Sequence, residues 1–237
     1  MTRATLSRSG LAMLALFAAA CSSGDETAAP YRDYAGLVAN SLGIGRAAAP
    51  APLEMPTGAM PVEVLAQSPG PMIALTVAGA QRIVLSAAPD AGDEFLNFQD
   101  QNRRGLRLRG GAVAGTYGFG QDLLAVRYQR EDPVAHPLPL EEWPGQVDRE
   151  YQYRLRDLAN FSITVTCVFD RVVRENIDVI ERHETVRIVE TCTNSRRSFE
   201  NTYWVEPLTG VIRRSQQWTG PEIRPVIIEL LRPRPAA

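Results

Sequence analysis

The sequence predicts an all-β fold: a curved antiparallel sheet, half-barrel or sandwich-like, with one short helix near the N-terminus. Three observations carry this. Short apolar runs recur roughly every ten residues from Val62 onward, and glycine, proline, asparagine or aspartate separates them. No run of helical period lies between them to act as a crossover, so successive strands pair antiparallel.

Residues 1–20 read as a lipoprotein signal peptide. Arg3 and Arg8 make a positive start, Leu11–Phe17 forms a short apolar run, and Ala18-Ala19-Ala20 places small residues before Cys21. Such a run falls short of the ~20 residues that span a bilayer. A cysteine at this place resembles a lipobox, in which Cys21 is acylated and the signal is cut before it. Ala18 stands where leucine is usual, and the alternative is an ordinary signal that leaves Cys21 as a free thiol. Ser22 follows, without the aspartate of an inner-membrane retention signal, so the expected place is the outer membrane, facing the periplasm and held by lipid. One acyl chain binds membranes only marginally, on the order of 10⁴ M⁻¹, whereas two or three anchor stably.

Residues 21–61 read as an acylated tether. Tyr34, Leu37, Val38, Ser41 and Leu42 recur at helical spacing, which predicts a short amphipathic helix ending near Gly43. It either docks on the domain or stands free. Residues 47–61 hold four prolines and read as a semi-extended spacer.

Residues 62–233 form the expected β domain, and 234–237 a tail. Strands are predicted at 72–77, 81–86 and 94–99, followed by a hairpin of 106–109 and 112–116 around Gly110-Gly111. The proline-rich stretch 132–146 reads as a surface connection. Val147, Arg149, Tyr151, Tyr153 and Leu155 alternate with polar neighbours, as do Phe161, Ile163, Val165, Cys167 and Phe169, a second hairpin across Asp157–Asn160. Further strands are expected at 177–181, 185–193, 199–206, 211–218 and 223–231. If Glu206 opposes Val211, Trp204 lies beside Arg213 and Val205 beside Ile212.

Composition removes several chemistries. All 25 basic residues are arginine, which excludes a Walker lysine, a Schiff-base lysine and a Ser–Lys dyad. A formal charge of −2 argues against a nucleic-acid partner. The two histidines offer no metal centre. His183, in Glu181-Arg182-His183-Glu184, lacks HExxH spacing and reads as a solvated turn or strand edge; His136, before Pro137, reads as exposed. Glu141-Glu142-Trp143 has the parts of a sugar-cleaving site, but glycoside hydrolysis needs carboxyls ~5–9.5 Å apart across a cleft. Gly118-Phe119-Gly120 is an incomplete GxGxxG and reads as a tight turn. The pairs Arg103-Arg104, Arg196-Arg197 and Arg213-Arg214 read as solvated faces, with acidic polysaccharide or phospholipid headgroups as the alternative. No catalytic residue, metal or cofactor is expected.

With Cys21 assigned to lipid, Cys167 and Cys192 remain. In an oxidising periplasm an even remainder reads as one disulfide. Two buried thiols or a reactive thiol are the alternatives, the latter without a CxxC.

Two blocks carry a family resemblance. In 199–233, Tyr203, Trp204, Val205, Gly210, Ile212, Arg213, Ser215, Gln217 and Gly220 occupy a Tyr-Trp-[VI]-x-x-x-x-G-x-[IV]-R-x-S-x-Q-x-x-G pattern. In 116–128, Thr116, Gly118, Phe119, Gly120, Asp122 and Leu123 match Thr-x-Gly-[LF]-G-x-D-L. The chain thereby resembles the YjbF/GfcB family of group 4 capsule and exopolysaccharide lipoproteins. The resemblance implies a non-enzymatic binding or scaffold module that assists polysaccharide export or assembly. It implies an outer-membrane β-barrel partner and a soluble periplasmic one, with polysaccharide as a possible ligand. No catalytic residue is carried over, and the motif residues have no implied role. Two other readings stay open: a periplasmic polysaccharide-modifying enzyme, and a lipid carrier of half-barrel form.

Overall fold

In a computed structural model, the described residues are 55–77, 81–87, 94–119, 122–154, 160–220 and 225–234. The signal peptide, Cys21, the amphipathic helix and Gly120 lie outside them, as do most of the tether and of the tail. The strands are β1 (Met72–Val77), β2 (Ile83–Ser86), β3 (Phe95–Gln99), β4 (Gly105–Arg109), β5 (Ala112–Tyr117), β6 (Leu123–Tyr128), β7 (Gln146–Arg154), β8 (Asn160–Asp178), β9 (Arg182–Thr193), β10 (Ser198–Val205), β11 (Ile212–Gln217) and β12 (Val226–Arg232). They form one antiparallel sheet in the order β5-β4-β3-β2-β1-β12-β11-β10-β9-β8-β7-β6.

Consecutive strands lie side by side except β5 and β6, and β12 pairs with β1 as well as with β11, through registers such as Leu75↔Ile228. The two ends of the sheet, β5 and β6, then face each other without a ladder. Side chains join them: Leu123 N donates to Thr116 Oγ1 at 2.9 Å, and the Tyr128 hydroxyl donates to Val113 O at 2.7 Å. The sheet is a barrel with one unladdered seam, more closed than the half-barrel or sandwich expected.

Alternation decides which residues enter it. Ile73, Leu75, Phe98, Leu106, Val126, Val147, Tyr151, Val165 and Ile228 come from strands around the ring and form one interior cluster. Ala112, Val134, Leu140, Ile188, Tyr203, Val205 and Ile212 form a second. Gln217 spans the interior: its Oε1 accepts from Val113 N at 3.0 Å and its Nε2 donates to Gly111 O at 2.7 Å. A third cluster sits on the outer face, where a short 3-10 helix, Val62–Gln67, covers Met72, Ala74, Trp204 and Leu231.

Several expectations need correction. The connection 132–146 is no surface excursion: Val134, Ala135 and Leu140 are buried in the second cluster, and Leu140 N donates to Pro207 O. β6 was not anticipated. β8 is one strand, not separate runs at 161–169 and 177–181; Asp170–Asn176 continues it as an arm laddered to β9, with a bulge between Arg171 and Val173. Met55 and Met60, at the end of the expected spacer, already pack on the outer cluster. His183 is buried, and His136 is half-buried, where burial and the nearby Arg109 charge lower its pKa.

Candidate functional site

The Thr116 block builds the seam turn. The Asp122 carboxylate accepts from Gly118 N at 2.9 Å, Phe119 N at 3.2 Å and Thr116 Oγ1 at 3.1 Å. Gly118 has φ of 80°, and a Cβ there would approach Arg104 Cγ to 2.6 Å. The Asp122 carboxylate thus ties the end of β5 to the start of β6.

The terminal block does three things. At its hairpin tip, Glu206 accepts from Arg213 Nε at 2.7 Å and Thr209 Oγ1 at 2.9 Å, and lies 3.2 Å from His183 Nδ1. Burial pushes the Glu206 carboxyl up, but Arg213, Thr209 and His183 outweigh it and hold it below its ordinary value. Gly210, at φ 71°, lets Leu138 O approach to where a Cβ would be 2.1 Å away. Inside, Ser215 Oγ accepts from Gln217 Nε2 at 2.8 Å, and Gly220 lies against the Tyr153 ring.

The third role belongs to Tyr203. Its hydroxyl donates to Glu190 at 2.9 Å in a fully buried polar cluster. Arg149 grips Asp132 in two-pronged fashion, at 2.6 and 2.9 Å, and Glu190 at 2.9 and 2.7 Å; Asn201 donates to Glu190 at 2.7 Å. Burial opposes the Arg149 charge, yet Glu190 and Asp132 more than compensate and raise its pKa. Burial pushes Tyr151 up to about 12. The cluster is enclosed, so it can fix the barrel's interior but reach no substrate. Sequence reasoning gave Arg149 and Glu190 no role; the available signal was a charge at an inward place, between Val147 and Tyr151 and between Ile188 and Cys192.

Trp204 points the other way, onto the outer face. A bulge between Trp204 and Val205 sets it against Arg214 instead of the expected Arg213, while Val205 pairs with Ile212 as expected. The Arg214 guanidinium lies 6.0 Å from the indole centroid, and Trp204 Nε1 donates to Glu175. Arg187 opposes Trp204 from β9, so Arg187, Trp204 and Arg214 form a row across three strands. A cleft of about 410 Å³ opens above this row, walled by Glu175–Asp178 of the β8 arm and by Met55, Pro56 and Gly58.

The remaining candidates do not converge. Glu141 and Glu142 are adjacent and exposed on a 3-10 turn, and Trp143 packs edge-on against Phe169 at 5.1 Å. The expected Cys167–Cys192 disulfide is present, joining opposite positions of β8 and β9.

The family described as "Group 4 capsule polysaccharide lipoprotein gfcB, YjbF" matches residues 55–231, nearly the whole β domain. The chain belongs to the YjbF family. A relative from Escherichia coli strain K12, the "Uncharacterized lipoprotein GfcB", is 24% identical to this YjbF-family chain over 148 residues. The match covers 60% of this chain and 67% of that protein. The crystal structure of the hypothetical lipoprotein YmcC from Escherichia coli K12 superposes with a TM-score of 0.63 at 23% identity. It covers 74% of this chain and 90% of the other, a likeness of fold. Both blocks of the YjbF resemblance therefore sit where the barrel is pinned: one at the seam, the other from hairpin tip to interior.

Proposed function

We propose that this protein is a periplasm-facing lipoprotein of the outer membrane that assists export or assembly of a capsule or exopolysaccharide without catalysing a reaction. The observation that carries the reading is the family match across residues 55–231, to a family of group 4 capsule polysaccharide lipoproteins. The barrel acts as a binding or scaffold module, held by acyl chains on Cys21 and working beside an outer-membrane β-barrel and a soluble periplasmic partner. An interior occupied by the Arg149–Glu190 ion pair and by Gln217, which bonds across it to β5, favours this role over a lipid carrier of half-barrel form. The experiment is deletion of the gene with measurement of surface polysaccharide, complemented by the wild type and by Cys21→Ala. Surface polymer should fall on deletion and return only with the wild type. Unchanged polymer after deletion rejects the role.

A further inference from the structure

Within the outer cleft, Arg187 has no counterpart among the described residues. Its Nε is buried, and no described residue gives Arg187 a hydrogen bond or an ion pair. Its neighbours are engaged. Arg82 and Arg214 share Glu229, and Arg214 also donates to Asp178 O at 2.8 Å. An unsatisfied buried donor is costly, and more so when charged, so native proteins leave few. A guanidinium presented in this way is pre-set for two parallel N–H···O bonds to a carboxylate.

The rest of the cleft suits a sugar. Glu175 and Asn176 line the wall facing Arg187 and supply acceptors and donors for hydroxyl groups. The indole of Trp204, immobilised between Glu175 and Arg214, gives the floor an apolar component. The volume lies within the range of roughly 300–1,000 Å³ that holds small ligands.

We propose that the cleft between the β8 arm and the Arg187–Trp204–Arg214 row binds a carboxylate-bearing sugar residue of a polysaccharide, with Arg187 as the partner of the carboxylate. The site rests on the polysaccharide role proposed above and names the chemical class that role would engage.

The test uses the full lipidated protein in detergent and the surface polysaccharide purified from the producing cells. The polymer is offered native and after carbodiimide–borohydride reduction of its carboxylates, with inorganic phosphate as a separate probe. The native polymer should bind at least about tenfold more tightly than the reduced one, as expected for loss of a charged hydrogen-bonded pair. Arg187→Gln should abolish that difference while leaving the melting temperature unchanged. Glu175→Gln removes a like charge yet keeps an acceptor for Trp204, so it should bind native polymer as well or better. The proposal is overturned by equal binding of native and reduced polymer, by retained discrimination in Arg187→Gln, by weaker binding in Glu175→Gln, or by phosphate competing as well as polymer. In cells, a deletion that lowers surface polymer but is fully rescued by Arg187→Gln rejects the cleft and keeps the export role. A deletion without effect rejects the export role itself.

Discussion

Arg149 carries a charge into the middle of the barrel, where two buried carboxylates meet it. Removing one member of a buried ion cluster strands the others, at about 3–5 kcal/mol. Arg149→Met should therefore lower unfolding stability by that amount in a urea titration, and neutralising Asp132 and Glu190 as well should recover part of it. A loss of only a few tenths would show that the cluster is dispensable. Glu206 gives a pH effect of known sign. Its carboxyl is held below the ordinary value, so its contribution is complete above the unfolded carboxylate pKa of about 4.3 and fades as pH falls through the folded value. The melting-temperature gap between wild type and Glu206→Gln should be widest near neutrality and close in acid; a gap constant with pH would contradict it. Neither residue's partner was legible. Arg149 reads on the same face as Val147 and Tyr151, but nothing local names its carboxylate partners, and His183, without HExxH spacing, reads as a solvated turn or strand edge. A strand puts adjacent residues on opposite faces, so polar flanks say little about the residue between them.

Among the elements, strands with clean alternation were readable to within a residue or two: β1, β5, β7 and β10 lie where apolar periodicity put them. β6 carries no alternation, because Leu123-Leu124-Ala125-Val126 is continuously apolar and lies beside the glycine block. The β8 arm was missed for the opposite reason. Beyond Val168 it ladders only with β9, and Asp170–Asn176 sets the adjacent, exposed Val172 and Val173 among charged and polar residues, which leaves no period-two signature. The bulge at Arg171/Val173 falls on that open edge, the place where bulges discourage pairing between molecules. Parity and compartment alone pointed to Cys167–Cys192, and the hairpin supplies the geometry, with Cα atoms 3.9 Å apart. Closing a loop of 25 residues constrains the unfolded chain by about 3.5 kcal/mol in the entropy model. The Cys167→Ser/Cys192→Ser protein should lose stability of this order in denaturant, and the wild type should show no free thiol there when unfolded without reductant.

For the whole molecule, the all-β class was legible and the closure was not. The β1–β12 pairing joins residues 72–77 to 226–232, and no local pattern encodes so distant a neighbour. The same holds for Gln217, whose amide reaches β5 across more than a hundred positions of chain. Sequence reasoning placed Gln217 in a family pattern without a reason; the reason is that it fastens opposite sides of the barrel. Gln217→Leu would leave Val113 N–H and Gly111 C=O unpaired, at about 1–3 kcal/mol each. Amide exchange should then quicken in β5 well before β1 or β12; uniform acceleration would mean the seam has no special dependence on this side chain. The order of strands also fixes an order in time. A chain emerging from its N-terminus presents β1 early, yet its ladder partner on that side arrives last, after 148 further residues separating Val77 from Val226. Until then every emerged segment is a growing ribbon with two unsatisfied borders, and the barrel becomes a barrel only at the final strand.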